Sequence, residues 1–372
     1  MRILYACADR GIPLRGHKGA SVHMRSLAAA LARRGNQVTV ACRNLEGANP
    51  LPAGVRVEQL PADEELHQSS LRELLREVRA DVALERYSLS SGHTQAAARA
   101  WGIPFVLEVN APLVDEAARY RGLDNVDQWR SREREVLGGA DLVIAVSSGV
   151  KAHVLQTGVD PGRVVMIHNG VDLAGFDRAN GKAVRVAHNL EKAMVLGFCG
   201  SLKPWHGVDA LIQVLDALPT QIHLLIVGDG PQRADLEKRA RDLGVAGRVV
   251  FTGAVAHLQI PGYLAAMDIA AAPYVPQENF YFSPLKVLEY LAAGRPVVAS
   301  DQGDMRVLVG KAGVLVPPGD LALLAEAVRT LAADPQLRAW MTEAARSQVR
   351  DHDWTSVAEQ VEITLASLKA AA

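Results

Sequence analysis

Between Tyr281 and Ser300 the chain reads YFSPLKVLEYLAAGRPVVAS, and two of its side chains can do chemistry: Lys286, a cation, and Glu289, a carboxylate three residues on. Ser283 is a good N-cap, Pro284 suits the first helical position and Gly294 closes the far end, so a helix of about three turns is expected. Leu285, Leu288 and Ala292 share one face, widened by Val287 and Leu291, while Lys286 and Glu289 lie on another. A lysine in the first turn sits at the positive end of the helix dipole, which disfavours it by ~0.3–1 kcal/mol. An anion bound at that end reverses the sign, because free backbone N–H groups there point at it. The plain alternative is a solvated i,i+3 ion pair worth ~0.2–0.5 kcal/mol.

A site of this kind needs strands and helices to hold it, and the chain supplies them in alternation. In the first half, RILYACA precedes SVHMRSLAAALARRG and QVTVAC, followed by VRVEQL, DVALERY, IPFVLEV, DLVIAVS and RVVMIHNG with helix-period segments between. The second half repeats the pattern with MVLGFCGS, IHLLIVGDG, RVVFTGAV, DIAAAPY and PVVAS. Such alternation implies parallel sheets with right-handed crossovers, covered on both faces. The expected fold class is α/β, with two doubly wound, Rossmann-like domains at residues 1–168 and 193–353. The Gly- and Asn-rich stretch 169–192 reads as a linker. Ligands of such sheets bind beyond the carboxyl ends of the strands, so candidate residues lie in the loops there. DRGIPLRGHKGAS places Gly16 and Gly19 after the first strand; FCGSLKPWHG gathers Lys203 and His206 near two glycines; VGDGPQ follows the next strand. Neither half has a complete glycine fingerprint followed by a suitable acid, which argues against a nicotinamide dehydrogenase.

With 372 residues, 49% apolar and 22% charged, the chain is long enough for two substantial cores. A net charge of −1 argues against nucleic acid as a partner. Cys7, Cys42 and Cys199 fall in or beside strands without metal-ligand spacing, so they read as buried free thiols in a reducing compartment. The apolar start MRILYACA is too short for a signal or a membrane span, and the expected location is the cytoplasm. Arg119, Arg121, Arg130, Arg132 and Arg134 are largely cancelled by Asp124, Asp127, Glu133 and Glu135, which leaves at most weak peripheral membrane contact. The Asp351–Asp353 pair has the Asp-x-Asp spacing of metal-dependent sugar transferases, but it separates two helical stretches. Asp353 is expected to cap a helix starting near Trp354, and no metal or other cofactor is expected.

As an ordered set, GFCGSLKPWHGVDALI, LLIVGDGPQRADLE, RVVFTGAV, FSPLKVLEYLAAGRPVVAS and GVLVPPGD resemble glycosyltransferase family 4, the retaining GT-B sugar transferases, and its members with an SPLKxxEY helix. SSGV at 147–150 and HNGVDL at 168–173 match the family's interdomain region. The resemblance implies two domains facing a central cleft, with the C-terminal helix, about 354–370, packing back on the first. It implies transfer of a hexose from a nucleotide diphosphate-sugar, a UDP-sugar or alternatively a GDP-sugar, to an acceptor that is a glycan, a lipid-linked sugar or a small molecule. It places the donor at Gly19, Ser201, Lys203, His206, Gly228, Gly230, Thr252, Ser283, Pro284, Leu285, Lys286 and Glu289. Glu289 then accepts from the ribose hydroxyls, and the N–H groups of Leu285 and Lys286 cradle the diphosphate. The acceptor side falls to Glu108, Asn110 and Glu116, with Asn110, Lys203 and Glu289 as the catalytic set. Arg119 and Arg121 flank Glu116.

The chain also departs from the family. The glutamate usual eight positions before Glu289 is Tyr281, with Glu278 three residues earlier. An arginine and a lysine usual for the phosphates are Ser201 and His206, so Lys203, or His206 if protonated, is left to supply charge. A histidine usual on the acceptor side is Asn110, which orients a hydroxyl but cannot act as a base at neutral pH. A front-face retaining reaction needs little from a base, since the leaving phosphate oxygen takes the acceptor proton. Two other functions suit the same architecture: a nucleotide-sugar epimerase or hydrolase, and a non-catalytic two-lobed binding protein.

Overall fold

The computed structural model describes residues 1–371 and divides them into two compact units, each built on one parallel sheet. The first unit comprises residues Met1–Gly170, Tyr281–Ser283 and the helix Trp354–Ala371. Its strands are β1 Arg2–Cys7, β2 Gln37–Cys42, β3 Val55–Gln59, β4 Val82–Arg86, β5 Phe105–Val109, β6 Leu142–Ala145 and β7 Val164–Met166. They lie side by side as β3-β2-β1-β4-β5-β6-β7, all parallel. Strands β1, β4, β5 and β6 are almost wholly buried, which is why they read as apolar runs rather than alternating ones. The helix Trp354–Ala371 packs on the helix Gly19–Arg33 through buried Trp354, Val357, Ala358, Val361 and Leu365. Arg34, just beyond the latter helix, pairs with Glu362 at 2.6 Å.

The second unit comprises Val171–Phe280 and Pro284–Asp353. Its strands are β8 Met194–Cys199, β9 Ile222–Val227, β10 Val249–Phe251, β11 Ile269–Ala272, β12 Val297–Ser300 and β13 Gly313–Val316, ordered β10-β9-β8-β11-β12-β13 and again parallel. The stretch read as a linker carries two short helices, Ala174–Asp177 and Lys182–Ala187. Its Gly181 sits so close to Ala266 that a Cβ there would fall 2.3 Å from the Ala266 amide, so this segment is packed onto its unit. In each sheet the strand order turns back once, between β1 and β4 and between β8 and β11. Beyond the carboxyl ends at those two points an open sheet leaves a crevice for a ligand. Cys7, Cys42 and Cys199 are free and buried. Among the described residues no helix is long and apolar enough to cross a membrane.

Candidate active site

The helix carrying Lys286 and Glu289 is Leu285–Ala292, eight residues, shorter than the three turns expected. Pro284 rather than Ser283 stands at its N-cap, and no side chain caps its first turn. Ser283 is used elsewhere: its hydroxyl accepts from the Asn169 amide at 3.3 Å, and its carbonyl accepts from Asn169 Nδ2 at 2.7 Å. Val287 N–H donates back to the Pro284 carbonyl at 3.0 Å, which leaves the N–H groups of Leu285 and Lys286 for another acceptor.

Lys286 does not reach into solvent. Its ammonium is closed off from water and has no hydrogen-bond partner, and it lies over the rings of Phe198 at 4.3 Å and Tyr274 at 5.2 Å. It points at the end of β8, where a Cβ on Gly200 would come within 3.0 Å of Nζ. Two aromatic faces contribute on the order of 1–2 kcal/mol each, whereas removing an ammonium from water costs several. The deficit shows in its titration: burial pulls Lys286 down to about 7, although Cys199 and Glu289 oppose this. Glu289, a turn away on the same side, is pushed by burial up to about 7, with Lys286 opposing. The site thus holds a desolvated cation that an incoming anion would satisfy.

The neighbouring loops qualify the sequence assignments. His206 Nδ1 faces the Ser201 carbonyl at 2.5 Å and must donate to it. Burial, with the charges of Lys286 and Lys203 nearby, takes His206 down to about 3, so of the two alternatives it is the neutral ring and supplies no charge. Lys203 lies 5.7 Å from the Trp205 ring centre and is half-buried. Ser201 is exposed, and Thr252 donates to the Gly253 carbonyl at 2.8 Å. Gly228, at φ +136°, passes so near β8 that a Cβ would fall 2.0 Å from the Gly200 carbonyl oxygen; at Gly230 it would fall 2.5 Å from the Leu202 amide. These glycines bring two loop backbones together at the strand ends. Glu278 is exposed. In Asp351–Asp353, Asp353 accepts from the Leu173 amide at 3.4 Å, and no group of three metal-ligating side chains occurs among the described residues.

In the first unit, Asn110 follows β5 at the carboxyl edge of the sheet, with its Nδ2 shielded from water and unpartnered. Glu116 accepts from Tyr281 OH at 3.0 Å and from Arg121 at 2.5 Å, so the tyrosine in the usual glutamate position is hydrogen-bonded to a carboxylate. Arg119 lies over the ring of Tyr120. Gly19 opens the helix Gly19–Arg33. Glu108 departs from expectation. It is fully buried and accepts from Tyr5 OH at 2.7 Å and His23 Nε2 at 2.6 Å, so both oxygens are engaged inside the unit rather than facing an acceptor. Burial alone would raise its titration, but His23, Arg86 and Tyr5 hold it at about 2. His23 Nδ1 lies 2.9 Å from Asn169 Oδ1. Sequence reading missed His23 and Arg86. A lone histidine on an apolar helix face, and two charges side by side in the strand DVALERY, were the available signals.

Two family models match the chain: Glycosyltransferase Family 4 over residues 17–174 and Glycosyl transferases group 1 over residues 193–334. A D-inositol 3-phosphate glycosyltransferase of Xylanimonas cellulosilytica is 29% identical over 379 residues, covering 91% of this chain and 89% of that protein. A 2-deoxystreptamine glucosyltransferase of Streptomyces kanamyceticus is 30% identical over 256 residues, 64% of each chain. Among solved structures, HepE of Anabaena in complex with UDP superposes with a TM-score of 0.81 at 22% identity, covering 99% of this chain and 100% of that one. Sucrose-phosphate synthase of Thermosynechococcus elongatus gives 0.79 at 22% identity over the whole of both chains. The two units are thus those of a GT-B protein.

Proposed function

The chain belongs to the family 4 glycosyltransferases and is a hexosyltransferase, and from that premise we propose that it moves a hexose from a UDP-sugar to an acceptor hydroxyl with retention and without a metal ion. The observation that carries the reading is the buried, unpartnered Lys286 ammonium beside an uncapped helix N-terminus at the point where the second sheet turns back. There the diphosphate takes the N–H groups of Leu285 and Lys286 and the Nζ of Lys286, while Glu289 accepts from the ribose diol. Lys203 adds a second charge. This replaces the arginine and lysine that Ser201 and His206 do not supply.

The acceptor belongs to the first unit, where the free Nδ2 of Asn110 orients an oxygen. As the bond from the anomeric carbon to the phosphate oxygen breaks, the acceptor oxygen forms its bond on the same face and passes its proton to that phosphate oxygen. The protein's part is positioning and stabilisation of the leaving diphosphate's charge. The buried free thiols fit a cytoplasmic setting.

Glu289 gives a direct test. A hydrogen bond to a charged group is worth ~1.5–3 kcal/mol, so Glu289→Ala should weaken UDP binding ten- to a hundred-fold on that order. Glu289→Gln should lose less. A 2′,3′-dideoxy analogue of UDP should bind wild type and Glu289→Ala alike. Unchanged UDP affinity in folded Glu289→Ala would remove the ribose role.

A further inference from the structure

The helix Leu285–Ala292 carries Lys286 in its first turn, and its other end, roughly 10 Å on, lines a cleft of about 450 Å³. Every residue around this cleft belongs to the second unit. Leu173, Phe176, Ala265, Ala292, Ala293 and Val349 give it an apolar lining. The guanidinium groups of Arg295, Arg346 and Arg350 border the same space, and among the described lining residues Asp177 brings the one carboxylate. Arg295 directly precedes Pro296 and β12, so the cleft lies at the amino end of the second sheet. It is separate from the crevice beyond the carboxyl ends, where Lys286 points at the end of β8.

Local sequence explains how the arginines meet. Arg346 and Arg350 stand four positions apart across the end of the helix Pro335–Gln348, with Val349 between them, so one face presents all three to the cleft. A Cβ on Gly294 would come within 3.3 Å of Arg346 Nε, so the glycine lets that side chain lie across the end of the Lys286 helix, next to Arg295. Arg295 donates from Nε to the Ala293 carbonyl at 2.7 Å and from Nη1 to the Met267 carbonyl at 2.8 Å, contacts that hold it without neutralising it. Burial, with Arg346 and Arg185 nearby, pulls its titration below the ordinary guanidinium value, although Asp268 opposes this. Asp268 is itself paired with Arg185 at 2.8 Å. Arg346 reaches Glu343 at 3.1 Å on the open surface, where solvent weakens such a pair. Helix C-termini favour cations, which accounts for each arginine singly. It does not account for three of them around one apolar-floored space, where like charges repel and an anion relieves them.

We propose that this cleft is a second ligand site of the unit and takes a small organic phosphate, its phosphate oxygens against Arg295, Arg346 and Arg350 and its apolar or ring-shaped body against Leu173 and Phe176. A planar guanidinium forks onto two phosphate oxygens, and several guanidinium groups share one phosphate dianion, whereas a carboxylate satisfies fewer of them. The volume and the apolar lining suit a small organic molecule rather than a bare inorganic ion. The site does not depend on how the donor is bound at Lys286.

The test titrates phenyl phosphate, benzoate and inorganic phosphate by calorimetry into the full chain in the presence of excess UDP, which occupies the Lys286 site. Wild type should bind phenyl phosphate more tightly than either of the other two. The double variant Arg346→Gln, Arg350→Gln, which alters two exposed side chains, should bind phenyl phosphate about tenfold or more weakly. Phe176→Ala should weaken phenyl phosphate and leave inorganic phosphate unchanged. Wild type that does not bind phenyl phosphate, or a folded double variant that binds it as wild type does, overturns the proposal. Benzoate bound as tightly as phenyl phosphate overturns the assignment to phosphate. Should the double variant not fold, Arg350→Gln alone decides by the same comparison. The difference between wild type and variant locates the binding whether or not UDP binds, so a failure of UDP to bind would count against the proposed function and not against this site.

Discussion

Glu85 and Arg86 are adjacent in one buried strand and carry opposite charges, yet they do not pair, because successive strand residues face opposite sides. Neither oxygen of Glu85 has a hydrogen-bond partner. Burial pushes its carboxyl up to about 7, only partly opposed by the hydroxyls of Ser91 and Thr94. The consequence for stability has a definite sign. Below the ordinary carboxylate range both folded and unfolded chains are protonated at this residue, and no penalty exists. As pH rises from there to about 7, the unfolded chain ionises while the folded one resists, so stability falls, by roughly 3 kcal/mol in all. Glu85→Gln should therefore raise the melting temperature at pH 8 and leave it nearly unchanged at pH 4.5. Melting curves at the two pH values check this, and an equal shift at both would mean that packing rather than charge dominates at this residue. Lys286 is the counterpart in the second unit, a cation held back from its ordinary value by the same physical cause.

At the scale of elements, the sites are made by strand ends and the loops that leave them. Gly228 and Gly230 let the loop after β9 lie against the loop after β8. Gly228→Ala puts a Cβ onto the Gly200 carbonyl and into a backbone conformation that L side chains rarely adopt. It should cost on the order of 2–3 kcal/mol of stability or push the β8 loop aside and lose UDP binding; chemical denaturation with UDP titration would reveal either, and wild-type behaviour in both would refute it. The strands and helices were legible in the sequence because burial on both faces makes parallel strands continuous apolar runs, and glycine marks their exits. The dipole argument also singled out Lys286 and Glu289. What was not legible depends on contacts distant in sequence. His23 reaches Glu108 across 85 positions and Asn169 across 146. Ser283 looked like a cap, but Asn169, 114 positions away, takes its hydroxyl and its carbonyl. Local spacing carries no trace of either.

Across the whole molecule, each unit is a doubly wound sheet, and the second places the buried Lys286 ammonium, without a hydrogen-bond partner, beside the point where its strand order turns back. The central claim is that Lys286 is the charge that holds the donor's diphosphate. Calorimetric titration of UDP and of uridine into wild type and Lys286→Met tests it most directly. Methionine keeps the apolar stem between Phe198 and Tyr274 and removes only the charge. UDP affinity should fall by about ten- to a hundred-fold while uridine affinity stays within about twofold. Equal UDP affinity in the two folded proteins, or equal losses for UDP and uridine, would contradict it.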